Sequence, residues 1–267
     1  MIFVMDVGNT HTTAALFKKK ELLHFWRITT ARHRTQDEWG ALLKSLFHFN
    51  DLRMRDVGGV IISSVVPPAD DPLRQMCLRY FKRDPLFVAP GMKTGIHVHY
   101  DPPGDVGADR IVNAVAVCAF YETPAVVVDF GTATTFDVIA EGGDYVGGVI
   151  TPGIGISSEA LFERAAKLPK VELVRPKKVV GRNTVASIQS GLYWGYVSLV
   201  EGILLKIKKE FGEAKAVVAT GGFAARLSRD CPGIDEVDET LTLKGLRLLY
   251  EMNTTRKGTD ENGGEGS

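Results

Sequence analysis

Two aspartates end short apolar runs in this chain: Asp6 in "MIFVMDVGNTHTTAALF" and Asp129 in "AVVVDFGTATTFDVIA". Each is followed by x-Gly, then by small hydroxyl or amide residues, then by more apolar sequence. A strand that ends this way and turns straight back aims a carboxylate and several backbone N–H groups at one spot. Gly8 and Gly131 carry no Cβ, so a phosphate could come close to the main chain. Asn9, Thr10, Thr132, Thr134 and Thr135 supply neutral donors for phosphate oxygens. The carboxylates themselves repel phosphate and must act on it through a cation. One such turn is unremarkable, since Asp and Gly favour turns for conformational reasons. Two copies in two halves, facing each other, would hold a metal–polyphosphate from both sides.

The elements that must position these turns follow from the apolar periodicity. Residues 2–7 and 12–17 read as paired strands, "KKK" at Lys18–Lys20 as the next turn, and "LLHFWRI" as a third strand. "TQDEWGALLKSLF" predicts a helix opened by a capping box of Thr35 and Glu38. A buried strand follows in "VGGVIISSVV", stopped by Pro67 and Pro68, and a second amphipathic helix is expected from Pro72 to Phe81. After "PLFVA" comes the irregular stretch "HVHYDPPGDVGADR", then a helix from Asp109. From Ala125 the strand, Asp-x-Gly turn and strand order restarts, so the chain reads as two related halves. A long helix from Thr184, a strand "AVVAT", a third glycine turn "ATGG" (Gly221, Gly222) and a closing helix complete the second half. The expected organisation is two lobes, 1–117 and 118–253, followed by a disordered tail, 254–267, which is almost free of apolar residues.

Composition narrows the class. The 267 residues are 45% apolar and 24% charged, with 32 basic and 32 acidic residues and no net charge. A nucleic-acid binder or a membrane-surface protein would carry a basic excess, so neither partner is expected. No apolar run reaches membrane-spanning length, and Cys77, Cys118 and Cys231 form no CxxC pair. A cytoplasmic protein with reduced thiols is the expectation. His97 and His99 alternate without a third ligand, which argues against a metal site there.

The three glycine turns resemble the phosphate-one, phosphate-two and adenosine segments of the actin-like ATPase superfamily. The ordered set "DVGNT", "GADR", "DFGTATT", "GGVITPG", "KLPKV", "GRNT" with "SGLYWGY", and "TGG" resembles, more narrowly, type III pantothenate kinase, over residues 2–253. That resemblance implies an α/β fold of two ribonuclease H-like lobes, each a mixed five-stranded sheet with flanking helices, and a nucleotide cleft between them. It implies ATP-dependent phosphorylation of pantothenate, the first step of coenzyme A synthesis, in a homodimer.

Residue by residue, the resemblance puts ATP on Asp6, Val7, Gly8, Asn9, Thr10, His11, Thr12, Thr13, Thr132, Gly221 and Gly222. It puts Mg²⁺ on Asp6 through water, and a monovalent cation, K⁺ or NH₄⁺, on Asp129; the pattern alone leaves a second magnesium ligand open at Asp129. Pantothenate falls on Tyr100, Gly107, Ala108, Asp109, Arg110 and Thr184. Asp109 is the expected general base, with a pKa kept low by the helix dipole; a plain N-cap is the bland alternative for it and for Thr184. Arg110 could equally be a structural ion-pair partner. Ser187, Gly191 and Gly195, spaced by four, suit either internal helix packing or a dimer contact. Two other functions share the fold: a non-catalytic nucleotide-binding accessory protein, and a kinase for another small hydroxyl compound.

Overall fold

The computed structural model describes residues 1–165 and 167–254. The tail expected to be disordered lies, from residue 255 onward, outside the described residues.

Two five-stranded sheets carry the same connectivity. In the first, β1 (Ile2–Val7), β2 (His11–Lys18) and β3 (Glu21–Thr29) form an antiparallel meander, and β4 (Gly59–Ser64) and β5 (Leu86–Phe87) add in parallel on the other side of β1. The order is β3-β2-β1-β4-β5. The second sheet repeats it with β6 (Ala125–Phe130), β7 (Ala133–Ile139), β8 (Tyr145–Pro152), β9 (Ala216–Thr220) and β10 (Glu236–Val237), in the order β10-β9-β6-β7-β8. The internal duplication is therefore a duplication of topology, with β6 standing where β1 stands.

Helices close both faces of each sheet. On the first, α1 (Gln36–Phe49) starts at the expected capping box: Glu38 N donates to Thr35 Oγ1, and Thr35 N donates to the Glu38 carboxylate at 2.7 Å. Its Trp39, Leu43 and Phe47 pack under Phe3, Met5 and Val7 of β1. The second helix, α2 (Pro67–Met76), begins earlier than the sequence reading placed it. Pro67 and Pro68 do not merely stop the strand; they are the first helical positions, where a missing N–H costs nothing because no carbonyl waits for it. The helix then widens into a π-type turn, Cys77–Phe81, and ends at Lys82 with φ of 56°.

Strand alternation sets everything that follows. Along β1, Phe3, Met5 and Val7 face α1 and α2, while Val4 faces the opposite side with Ile61 of β4. That inner side is covered by α3 (Ala108–Phe120) through Val112 and Val115, and by the last helix through Leu243, Leu246 and Leu249. Along β6 the pattern repeats. Val126, Val128 and Phe130 face the long helix, residues 184–211, whereas Ala125 and Val127 face Ala114 and Val117 of α3. Successive side chains on a strand point to opposite faces. Asp6 and Asp129 thus end the inner rows of both sheets, on the side walled by α3.

The remaining helices are α4 (Ile154–Arg164), α5 (Thr184–Phe211), the short α6 (Ala224–Leu227) and α7 (Leu241–Thr254). The basic loop before α5 is tied down where Arg175 donates through Nε (2.6 Å) and Nη2 (2.7 Å) to the two oxygens of Asp230. α3 and α7 pack closely, and Gly245 makes that approach possible: a Cβ there would fall 2.3 Å from the Val112 carbonyl oxygen. The expected lobe division at 117/118 falls inside α3, which touches both sheets.

Candidate active site

The two Asp-x-Gly turns meet. Thr10 Oγ1, after β1, lies 2.8 Å from Thr132 Oγ1, after β6, so the two turns touch each other. The β1 turn is pinned by Gly8 N donating to His11 O (3.1 Å) and by Thr30 Oγ1 donating to Gly8 O (2.7 Å). A Cβ on Gly8 would sit 2.9 Å from the His11 oxygen, so that position tolerates only glycine without a shift.

Asp6, Asp109 and Asp129 converge electrostatically and are each partly buried. Burial pushes the Asp6 pKa up to about 8, with the charges of Asp109 and Asp129 adding to the rise. The Ser63 hydroxyl, opposite Asp6 in register, pulls the other way without completing a good hydrogen bond. Burial and Asp109 push Asp129 up to about 7, although Asn113 Nδ2 donates to its Oδ2 at 3.1 Å. Asn113 is itself held by Thr242 Oγ1 of α7, which donates to its Oδ1 at 2.7 Å. Gly221, at φ 91°, completes the floor, since a Cβ there would meet Asp129 Oδ1 at 2.4 Å.

The plain N-cap alternative for Asp109 falls away: Gly107 caps α3, and Asp109 Oδ1 accepts from the Arg110 N–H at 2.9 Å. Its pKa is raised, not lowered: burial outweighs the Arg110 N–H and the Arg110 charge. The helix dipole acts only weakly against desolvation of this size. A Cβ on Gly107 would lie 2.6 Å from Asp109 Oδ1 and would have to displace that carboxylate.

Arg110 is buried, and its Nε donates to Asp137 Oδ1 at 2.6 Å. Tyr145 Oη donates to the same oxygen at 2.9 Å, and Thr135 Oγ1 approaches Oδ2 at 3.3 Å. Burial lifts Asp137 to about 6, while Arg110 and Tyr145 keep it ionised at neutral pH. Arg110 Nη2 is buried with no partner, against Gly148 of β8. Tyr100 reaches this network with its ring 6.4 Å from that of Tyr145. Asp137 and Tyr145 were not singled out in the sequence. Their signal was present in a weak form: a carboxylate at a strand position where an apolar residue belongs.

Other expected residues separate by role. Thr13 shares the row of Asp6, being its register partner. Val7 is buried in the outer core and offers the cleft only backbone. Thr12 is fully buried and bonded to Thr30 Oγ1 (2.9 Å), so its side chain braces the turn from behind. Asn9, Thr10 and His11 are exposed, and burial and Arg27 lower the His11 pKa. Gly222 follows Gly221 in the turn after β9. Ala108 opens α3 beside Asp109.

Thr184 is exposed at the start of α5 and is not its cap; Asn183 Oδ1 accepts from Ala186 N at 2.8 Å. It lines an open concavity of about 770 Å³ with Leu161, Gly181, Ser187 and Gly191, none of them in the acid cluster. The Ser187, Gly191 and Gly195 stripe is exposed, and a Cβ on either glycine would touch nothing within 4 Å, so internal packing does not explain it.

Two duplicated sheets with paired Asp-x-Gly turns on their facing sides define an actin-like ATPase fold. Solved structures agree at the level of fold. A putative 2-dehydro-3-deoxygalactonokinase from Sinorhizobium meliloti superposes with a TM-score of 0.60 at 10% identity, over 98% of this chain and 100% of that one. A conserved putative Baf family transcriptional activator from Campylobacter jejuni gives 0.58 at 18% identity, over 94% and 98%. The activator of the 2-hydroxyisocaproyl-CoA dehydratase from Clostridium difficile, solved with bound ADPNP, gives 0.53 at 12%, over 93% of each. Within the fold, the family profile of type III pantothenate kinase matches residues 2–206, and the chain belongs to that family. It is a phosphotransferase that phosphorylates pantothenate, the first step of coenzyme A biosynthesis. The match ends within α5, so the "ATGG" turn is tied to the superfamily by its place in the fold.

The raised acids generate a test. Asp6 and Asp129 bind protons more tightly in the native state than their ordinary value of 3.8 allows, so the native state holds more protons than the unfolded one above that pH. Stability of the ligand-free protein therefore falls as pH rises from about 4 through about 8. Asp6→Asn removes much of that fall, and at pH 8.5 the ligand-free variant should melt a few degrees above the wild type, at roughly 2–4 °C per kcal/mol. Parallel melting curves for the two proteins across pH 5.5–9 would refute it.

Proposed function

We propose that the pantothenate kinase reaction runs at the meeting point of the two turns, with ATP as donor and Asp109 as base. The observation that carries this reading is the Thr10–Thr132 contact beside three crowded carboxyls. Ionising these carboxyls concentrates negative charge at one spot, which retained protons or a bound cation relieve. The buried guanidinium of Arg110 already pairs with Asp137.

A divalent ion fits there, with Asp6 holding it through water and Asp129 holding a monovalent ion; bound cations neutralise charge on the transferred phosphoryl group. Among the described residues the acids do not form a group able to hold a metal by themselves, so water or phosphate oxygens would complete the shell of an ion bound there. The dehydratase activator of similar fold was solved with ADPNP, which supports nucleotide in this cleft. The residues of this chain do the rest. Gly8, Asn9, Thr10, Thr13 and Thr132 offer backbone and hydroxyl donors to phosphate oxygens, and Gly221 and Gly222 leave bare backbone for the adenosine. Asp109, its pKa raised by burial, accepts the proton of the pantothenate hydroxyl as that oxygen attacks the γ-phosphorus and ADP leaves. Arg110 Nη2, buried and free, and Tyr100 face the same side and suit the polar body of pantothenate.

The exposed small-residue stripe of α5 continues into exposed Val185, Ile156, Leu161, Phe162, Val179 and Val180. We assign this face to a homodimer contact, with Thr184 at its edge reaching the substrate of the partner. The lobes divide near 117/118 with α3 as their common wall, and a cytoplasmic setting suits the free cysteines.

Asp109→Asn should leave ATP affinity nearly intact and lower kcat by roughly 10²–10⁴-fold. Steady-state kinetics and a binding titration check it; equal losses in both would make Asp109 structural. Exchanging K⁺ for Na⁺ should raise the KM for ATP, and indifference to that swap removes the monovalent ion from Asp129. Sedimentation equilibrium at micromolar concentration should return twice the chain mass, and a monomer there ends the dimer assignment.

A further inference from the structure

One cation stands in the cleft without a role. Arg27 of β3 is the register partner of Thr13, which is the partner of Asp6, which in turn faces Ser63. Directly opposed residues on neighbouring strands share a face. Ser63, Asp6, Thr13 and Arg27 therefore form one row across the inner side of the first sheet. The guanidinium at the end of this row reaches the second lobe: a Cβ on Gly222 would lie 3.3 Å from Arg27 Nη1 and 3.8 Å from its Cζ. It spans the cleft mouth from β3 to the turn after β9.

Neither packing nor charge pairing explains that placement. Arg27 is exposed and makes no hydrogen bond or ion pair among the described residues. A free guanidinium against a glycine turn gains nothing from the turn itself. The duplicated lobe supplies an internal control. There the equivalent row is Thr220, Asp129, Thr135 and Ile150, so the fold repeats the acid and the threonine but not the cation. The position accepts an exposed apolar residue, and the arginine answers to something outside the scaffold. A second guanidinium, Arg32, approaches the same rim and donates through Nη2 to Asn9 Oδ1 at 3.2 Å.

A metal-bound triphosphate presents two faces. Its metal side suits the acids on the cleft floor, and its outer oxygens need cationic donors at the rim. We propose that Arg27 binds the polyphosphate of the nucleotide from the mouth of the cleft and couples its arrival to the approach of the "TGG" turn. The proposal rests on the nucleotide reading above but needs no particular acceptor. Arginine suits the role, because its planar fork donates to two phosphate oxygens at once and stays charged throughout.

The test is a binding titration of the full chain with Mg-ATP, Mg-ADP and adenosine, in K⁺ and without pantothenate. Arg27→Gln should weaken Mg-ATP by at least about 10-fold, the scale of one lost charge-assisted bond, and leave adenosine within two-fold of wild type. Arg27→Lys should recover part of the loss. In turnover, Arg27→Gln should raise the KM for ATP and leave the KM for pantothenate unchanged. Mg-ATP affinity within two-fold of wild type in Arg27→Gln overturns the proposal, as does an equal loss for adenosine, which would mean that Arg27 only props the lobes. A wild-type chain that binds no nucleotide defeats the nucleotide reading and this inference together. One that binds ATP but does not phosphorylate pantothenate leaves the inference standing.

Discussion

Concentrated negative charge at the junction of two hairpin turns is the constraint around which this molecule is arranged. Asp6, Asp109 and Asp129 come from three different elements; the charges of Asp109 and Asp129 raise the proton affinity of Asp6, and that of Asp109 raises Asp129. Such a cluster is unfavourable in an isolated chain. It persists because the surrounding structure over-determines it: two sheets, two glycine turns and a helix each hold one part. The crowding that destabilises the empty site would be relieved by cations, while burial alone raises the proton affinity of Asp109.

The second organising feature is the polar wall of α3. Asp109 and Arg110 are adjacent, yet their partners separate them. Arg110 is drawn back into the Asp137–Tyr145 network, and Asp109 remains without a strong ion pair. Had Arg110 paired with Asp109, the carboxylate would be held ionised and weakly basic. Asp137 thus shields Asp109 from that pairing without bonding to it. Tyr145 extends the protection outward, because its backbone also anchors the loop before Tyr100: Tyr145 N donates to His97 O (2.9 Å), and His99 N donates to Tyr145 O (2.8 Å).

Much of the scaffold was legible in the residues. Period-two alternation before each Asp-x-Gly turn, the Thr35–Glu38 box and the glycine turn at Gly221 each act locally, and local signals survive in sequence. What stayed hidden depends on distant partners. The elevation of Asp109 comes from burial by residues far along the chain, and no dipole argument at a helix start contains it. Asp137 reads as an ordinary strand residue until Arg110, 27 positions earlier, is folded onto it. Pro67 and Pro68 misled for a different reason. Proline ends a strand and begins a helix equally well, and only the carbonyls around it decide which.

Duplication explains how the site gained its asymmetry. The helix that ends the first lobe, α3, and the one that ends the second, α7, lie against each other, with Gly245 of one on the Val112 carbonyl of the other. Yet they contribute unequally. α3 brings Asp109, Arg110 and Asn113 to the cleft, whereas α7 supplies mainly support, through Thr242 to Asn113 and through leucines to the first sheet. β3 and β8 differ in the same way, cation against isoleucine. A symmetric pair of lobes would grip a phosphate chain equally from both ends and favour no direction of transfer. The transfer proposed above needs a base on one side of the transferred group and nucleotide contacts on the other, and the divergence of these equivalent positions leaves room for that polarity without disturbing either sheet.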